Sequence, residues 1–305
     1  MRLFDLHCDT VYMAYQSGQT LDHNRLHIDL ARGLQYDKWA QVFAVWIPDE
    51  WRGEEACEKC DAILDFAHRQ AAQFADRMQI VENGADMRAA FSAKTCAAWL
   101  AVEGGAALGG KLERVQALYD QGVRLMTITW NGSNELAHGC FSSCDEGLTP
   151  FGKAAVKEME RVGIFPDVSH LNMRGFDDVM ACTTGPIIAT HSLSKAVCDH
   201  PRNLTDAQFT VLCQRGGLVG LNLCAEHLGE QTFERFERHL EHDLSLGGED
   251  CLALGCDLDG MDFPPAWNGI DAMALLGDYL TRKNYQKTLI DRLFFDNAYQ
   301  FFNKL

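Results

Sequence analysis

The sequence predicts an α/β fold, a single (β/α)8 TIM barrel spanning residues 1–305, and three observations carry that reading. Apolar runs of strand length recur along the chain, longer amphipathic stretches separate them, and acids and histidines sit where the runs end. The runs lie near 3–8, 41–47, 97–102, 124–129, 164–168, 186–190, 217–222 and 252–256. They are mostly apolar throughout, as expected of parallel strands buried on both faces. Helical patterns lie near 54–77, 111–121, 150–162, 172–182, 204–215 and 232–246, and two more run from 270 to the end. This rhythm fits either a closed barrel or an open doubly wound sheet.

Polar residues at the run ends separate the two. Asp5-Leu6-His7-Cys8-Asp9 closes the first run, Glu103 the third, and Trp130 follows the fourth. Asp167-Val168-Ser169-His170 closes the fifth, Thr190-His191 the sixth and Asp257-Leu258-Asp259 the eighth. An open sheet gathers its site at one switch point, whereas a barrel brings every strand end to a single mouth. Marked ends spread around the whole set favour the barrel.

A hydrophobic fraction of 47% with 23% charged residues is that of an ordinary soluble globular chain. The net charge of −16 argues against a nucleic-acid partner, since phosphate contacts need a basic face. Met1-Arg2 leads straight into Leu3-Phe4-Asp5, with no signal-peptide core and no uncharged apolar stretch of spanning length. The expectation is a cytoplasmic protein without a membrane partner, its 12 scattered cysteines reduced. Cys57 and Cys60 lie in a charge-rich helical stretch with no second pair, so they read as structural, as do Cys140 and Cys144 around a loop.

His7, Asp9, Glu103, His170 and His191 offer three imidazoles and two carboxylates, a donor set that suits zinc or a similar divalent ion. A single strand-end histidine is more often a hydrogen-bonded core residue; the constellation is what points to metal. Five ligands exceed the three of a mononuclear catalytic zinc, so a bridging carboxylate is expected, and Glu103 is best placed for it. Two ions about 3.5–4 Å apart would share a hydroxide and polarise a carbonyl. Asp257, on the last strand, is the natural proton carrier, with Asp259 second because Gly260 indicates a turn. Asp167 equally fits a cap for the turn that follows it. Gly104-Gly105 let the chain turn tightly after Glu103. Arg202-Asn203 reads either as a fork for a carboxylate or as a surface loop. His138 can reach the mouth; His23, His27, His68, His227, His239 and His242 read as surface residues.

Asp5–Asp9, Glu103–Gly105, Arg124–Asn134, Leu148–Gly152, Asp167–His170, Pro186–Ser192, Arg202-Asn203 and Gly255–Gly260 together resemble the membrane (renal) dipeptidase family, zinc peptidases of the metal-dependent amidohydrolase superfamily. The resemblance implies a binuclear zinc barrel, with His7 and Asp9 on one ion, His170 and His191 on the other, and Glu103 between them. It implies Asp257 as acid/base and Arg202 as a substrate contact. Dimers are usual in the family, which makes a homodimer a candidate assembly. Two departures stand out. The family's best-known members carry a His at Trp130, where it is assigned to the scissile carbonyl or its oxyanion. A substrate-facing Tyr is replaced by Cys224 on an ungapped reading of Leu218–Cys224. The expected activity is zinc-dependent hydrolysis of small dipeptides, a D-residue at the C-terminal position included. Removal of an N-acyl group from an amino acid is the alternative. A non-catalytic binding protein would be expected to lack a ligand or Asp257, and neither is missing.

Overall fold

The computed structural model describes residues 1–305. Nine parallel strands form one sheet: β1 (Arg2–Cys8), β2 (Lys38–Trp46), β3 (Met78–Ile80), β4 (Cys96–Glu103), β5 (Val123–Thr127), β6 (Phe165–Asp167), β7 (Ile188–Ala189), β8 (Leu218–Leu221) and β9 (Leu252–Leu254). Their order is β2-β1-β9-β8-β7-β6-β5-β4-β3, and β2 also pairs with β4. That last pairing closes eight strands into the expected barrel. β3 is the addition. It pairs with Cys96–Ala98 of β4, while β5 takes Leu100–Glu103. Three residues carry too little pattern to announce a strand, and the ten-residue Gly84–Ala93 helix that follows it likewise lies outside the expected set.

The barrel interior is apolar and closed at one end. Phe4, Leu6, Val42, Trp99, Leu125 and Ile188 belong to one buried cluster with Phe295, Phe301 and Phe302 from the C-terminal helices. The Phe4 and Phe302 rings lie 5.0 Å apart, and Trp99 and Phe302 4.7 Å. Packing at the strand N-termini leaves the opposite end, where the strands finish, as the open mouth.

A one-residue bulge in β1 decides what faces that mouth. Asp5 pairs with Gln41, but the next partnered pair is Cys8 with Phe43, so β1 spends one residue more than β2. Regular alternation would continue the inward Phe4 and Leu6 to Cys8. The extra residue instead turns His7 and Asp9 inward, as bulges beside active sites often do. The buried Asp5 carboxylate clamps the bulge, accepting hydrogen bonds from the His7 N–H (3.0 Å) and the Cys256 N–H (3.0 Å).

Several helices match the sequence pattern closely, among them Pro150–Val162, Met173–Cys182 and Phe233–Ser245. Their first turns are capped by Thr149, Asn172 and Thr232. The cysteines depart from expectation at one place. Cys213, in the last turn of the Asp206–Gln214 helix, forms a disulfide with Cys251 before β9, with Cα atoms 5.5 Å apart, so the thiols are not all reduced. No helix is long and apolar enough to cross a membrane.

Candidate metal centre and substrate cavity

β1, β4, β6, β7 and β9 bring His7, Asp9, Glu103, His170, His191 and Asp257 to one buried point. Glu103 is divided between two sides. Its Oε2 lies 3.4 Å from His7 Nε2, whereas its Oε1 lies 3.0 Å from His170 Nε2 and 3.5 Å from His191 Nε2. Three overlapping triads lie within ligand distance, His7/Asp9/Glu103, Glu103/His170/His191 and His7/His191/Asp257, and the first two share Glu103. Asp257 Oδ1 lies 3.8 Å from His7 Nε2.

Local backbone aims these groups. His170 and Asp257 adopt left-handed conformations, φ 67° and 60°, which are uncommon for residues other than glycine. Gly104 (φ 114°) turns the chain after Glu103. At Gly260 a Cβ would lie 2.4 Å from Asp9 Oδ2 and 2.2 Å from Asp257 Oδ1, so only glycine fits beneath both carboxylates.

Hydrogen bonds fix the imidazole tautomers. His170 Nδ1 donates to Asn131 Oδ1 (2.9 Å), leaving Nε2 as a lone pair. Thr190 Oγ1 gives its proton to Asp167 Oδ2 (2.5 Å), so it accepts from His191 Nδ1–H (2.9 Å) and frees His191 Nε2 likewise. Asp167 also receives the Thr127 hydroxyl and the Ser169 and Thr190 N–H groups. It supports His191 through Thr190 and holds the turn after β6, while Asn172 caps the next helix. Asp259 holds a loop, accepting from Thr10 Oγ1 (2.5 Å) and the His27 N–H (2.7 Å).

The electrostatics call for a cation. Burial opposes charge on His7, yet Glu103, Asp9 and Asp257 lift its imidazolium to about 10. Burial followed by Glu103 raises Asp9 well above the carboxylate range, and the same pair of causes, against His7, brings Asp257 to about 6. Burial also acts against Glu103, but His7 and the other imidazoles hold it well below normal. Burial and then the Arg202 charge lower His170 to about 4. Three carboxylates and three imidazoles gathered in one buried pocket are a divalent-metal donor set. His7 Nε2 and Asp9 Oδ1 are buried with no hydrogen-bond partner, as ligand atoms would be.

A cavity of about 340 Å³ opens onto the centre, large enough for a small ligand. Trp46, Trp130, Tyr12 and Phe141 form its aromatic part, and Arg202, Cys224, His227 and Asp257 its polar part. Trp130 packs edge-on against Trp46, centroids 4.8 Å apart. Arg202 is buried; its Nη2 donates to the His191 carbonyl (3.1 Å), and its Nε has no partner. The Asn203 side-chain N–H2 donates to the Cys198 and His227 carbonyls (2.9 and 2.8 Å), and Asn203 lines a neighbouring cavity instead. His227 and His239 are buried rather than surface residues. His227 lies in a four-residue helix, Ala225–Leu228, where no apolar run marks its position.

The model of the membrane dipeptidase family, peptidase family M19, matches residues 1–305. The chain belongs to this family. As a family M19 member it is a metallo-dipeptidase, a hydrolase of peptide bonds. Its fold superposes on dipeptidase AC, a metallo peptidase of family M19, with a TM-score of 0.91 at 26% identity, covering 98% of this chain and 97% of the other. A Rhodobacter sphaeroides metallo peptidase, solved with a phosphinate mimic of the dipeptide L-Ala-D-Ala, gives 0.90 at 25% identity, covering 98% of both chains. An uncharacterised Klebsiella pneumoniae protein from the pqqA 5' region is 30% identical over 239 residues, 74% of this M19 chain and 88% of its own.

Proposed function

We propose that this M19 dipeptidase uses two zinc ions and cleaves small dipeptides that carry a free C-terminal carboxylate, D-configured C-terminal residues included. The division of Glu103, one oxygen toward His7 and the other toward His170 and His191, is the observation that carries the two-ion reading. His7 and Asp9 would hold one ion, and His170 and His191 the other. Bound there, zinc supplies Lewis acidity and a water of lowered pKa.

The chain's own groups do the rest. Asp257 takes a proton from the attacking water and returns it to the departing amine. The unpartnered Arg202 Nε, buried at the cavity wall, is free to donate to the substrate carboxylate. Trp130 and Trp46 offer an apolar wall to a side chain, and the Trp130 indole N–H can donate but not titrate. The L-Ala-D-Ala mimic carried by the Rhodobacter relative supports the D-residue specificity.

The test is a panel of L,L and L,D dipeptides, their C-terminal amides and N-acyl amino acids, assayed after zinc loading together with metal analysis. Turnover of free dipeptides over amides, with two equivalents of zinc, is expected. Preference for N-acyl amino acids would replace the dipeptide reading, and one equivalent supporting full activity would end the two-ion model.

A further inference from the structure

Outside the catalytic centre, the loop after β5 assembles a second group of metal-ligating side chains. His138, Cys144 and Glu146 each present one ligand atom, and these atoms all lie within 4.8 Å of one another. We propose that these three residues form an accessory site for an exchangeable zinc-like ion, independent of the dipeptidase reading, which braces the loop carrying Phe141.

The donor set is the first support. An imidazole, a thiolate and a carboxylate together select zinc over calcium or magnesium, which favour oxygen alone. Cys140 precedes Cys144 at C-x3-C spacing, but His138 and Glu146, not Cys140, are the groups within ligand distance of the Cys144 thiol. Ligation would release the Cys144 thiol proton to solvent and form an S–metal bond, with water in the fourth position.

Preorganisation is the second support. His138 Nδ1 lies 2.7 Å from Ser133 Oγ, which leaves Nε2 as the nitrogen to ligate. The backbones of all three residues are tied to one anchor, Asn172. Its N–H donates to the His138 carbonyl (3.1 Å), and its side-chain N–H2 donates to the carbonyls of Cys144 (3.3 Å) and Glu146 (2.8 Å). The intervening loop is stitched to the catalytic ligand His170, whose carbonyl accepts the Cys140 N–H at 2.7 Å. Phe141 lies between the two, 54% exposed and lining the substrate cavity. An ion joining His138 to Cys144 and Glu146 would close the loop's two flanks and set the position of that ring.

Cobalt distinguishes this site from the catalytic one. His7, Asp9, Glu103, His170, His191 and Asp257 provide only nitrogen and oxygen, whereas a Cys144 thiolate on Co2+ gives an intense near-ultraviolet charge-transfer band. The full-length protein loaded with Co2+ should show the band, and Cys144→Ser should lose it together with one equivalent of metal, keeping the equivalents held at the catalytic centre. Glu146→Gln, which leaves the thiol in place, should lower metal occupancy at the same site. No band in the wild type at excess Co2+, or a band and a metal content unchanged in Cys144→Ser, overturns the proposal.

Discussion

Of the three carboxylates at the centre, Asp257 has the most exposed side chain, 14% against 9% for Asp9 and 3% for Glu103. Exposure toward the cavity is what a proton carrier needs and a buried ligand does not. Asp257→Asn should therefore retain its metal while turnover falls by about 10²–10⁴-fold. Metal analysis beside kcat checks this, and a variant within roughly threefold of wild type would remove Asp257 from the reaction. Arg202 allows a sharper separation. Replacing it with Met removes the partnerless Nε and the bond to the His191 carbonyl. KM should rise strongly for free dipeptides and far less for amidated ones, since hydrogen bonds to charged groups contribute roughly 1.5–3 kcal/mol. Equal losses on both would mean that Arg202 only supports the His191 backbone.

Between residue and barrel lies the segment running from His191 to Arg202, which is clamped to the Phe233–Ser245 helix. Asp243 Oδ1 accepts the Ser194 hydroxyl (2.7 Å), and the Ser194 N–H donates to His239 Nδ1 (3.1 Å). Burial, opposed by the Ser194 bond, pushes the Asp243 carboxyl up to about 7 from 3.8. A carboxyl raised on folding holds its proton more tightly in the folded state. Its stabilising contribution is complete below pH 3.8 and is lost as the pH rises through about 7. Asn keeps an acceptor for Ser194 and does not titrate. Relative to wild type, Asp243→Asn should gain stability between about pH 4.5 and 8, by roughly 1.4 kcal/mol for each pH unit crossed while the folded carboxyl stays protonated and the unfolded one is ionised. Urea unfolding of both proteins at the two pH values measures the gain, and a difference that stays constant with pH would show that Asp243 is ionised throughout. Because His239 is common to both proteins, its own titration cancels.

Elements also show what could be read in advance. Glu103 and Asp257 were legible because each follows a run apolar on both faces, so an acid there has to meet the mouth. His7 is another matter. Strict alternation from Phe4 and Leu6 would turn it outward, and only the bulge held by Asp5 brings it in. No local pattern announces a bulge whose clamp depends on Cys256, some 250 residues away. Asn131, Thr190 and Asp167 act through other side chains, and His227 comes from a one-turn helix. His7, Asp167 and Thr190 are marked in the sequence, but the bulge and these supporting roles become visible only when the strands are placed side by side.

At the scale of the whole molecule, the centre joins the two ends of the chain. β1 pairs with β9, the Asp9 N–H donates to the Leu258 carbonyl (2.8 Å), and the Asp257 N–H donates to the His7 carbonyl (3.2 Å). His7 and Asp9 thus wait for the last strand. During synthesis His7 and Asp9 emerge at once, yet the clamp on their bulge and the carboxylate opposite them come only after residue 255. Contacts so distant in sequence form late, because ordering the intervening chain opposes them. A nascent chain that lacks β9 therefore lacks the Asp257 carboxylate and the Cys256 half of the clamp that turns His7 and Asp9 inward. The geometry of the centre is thus complete only when the last strand has joined the first.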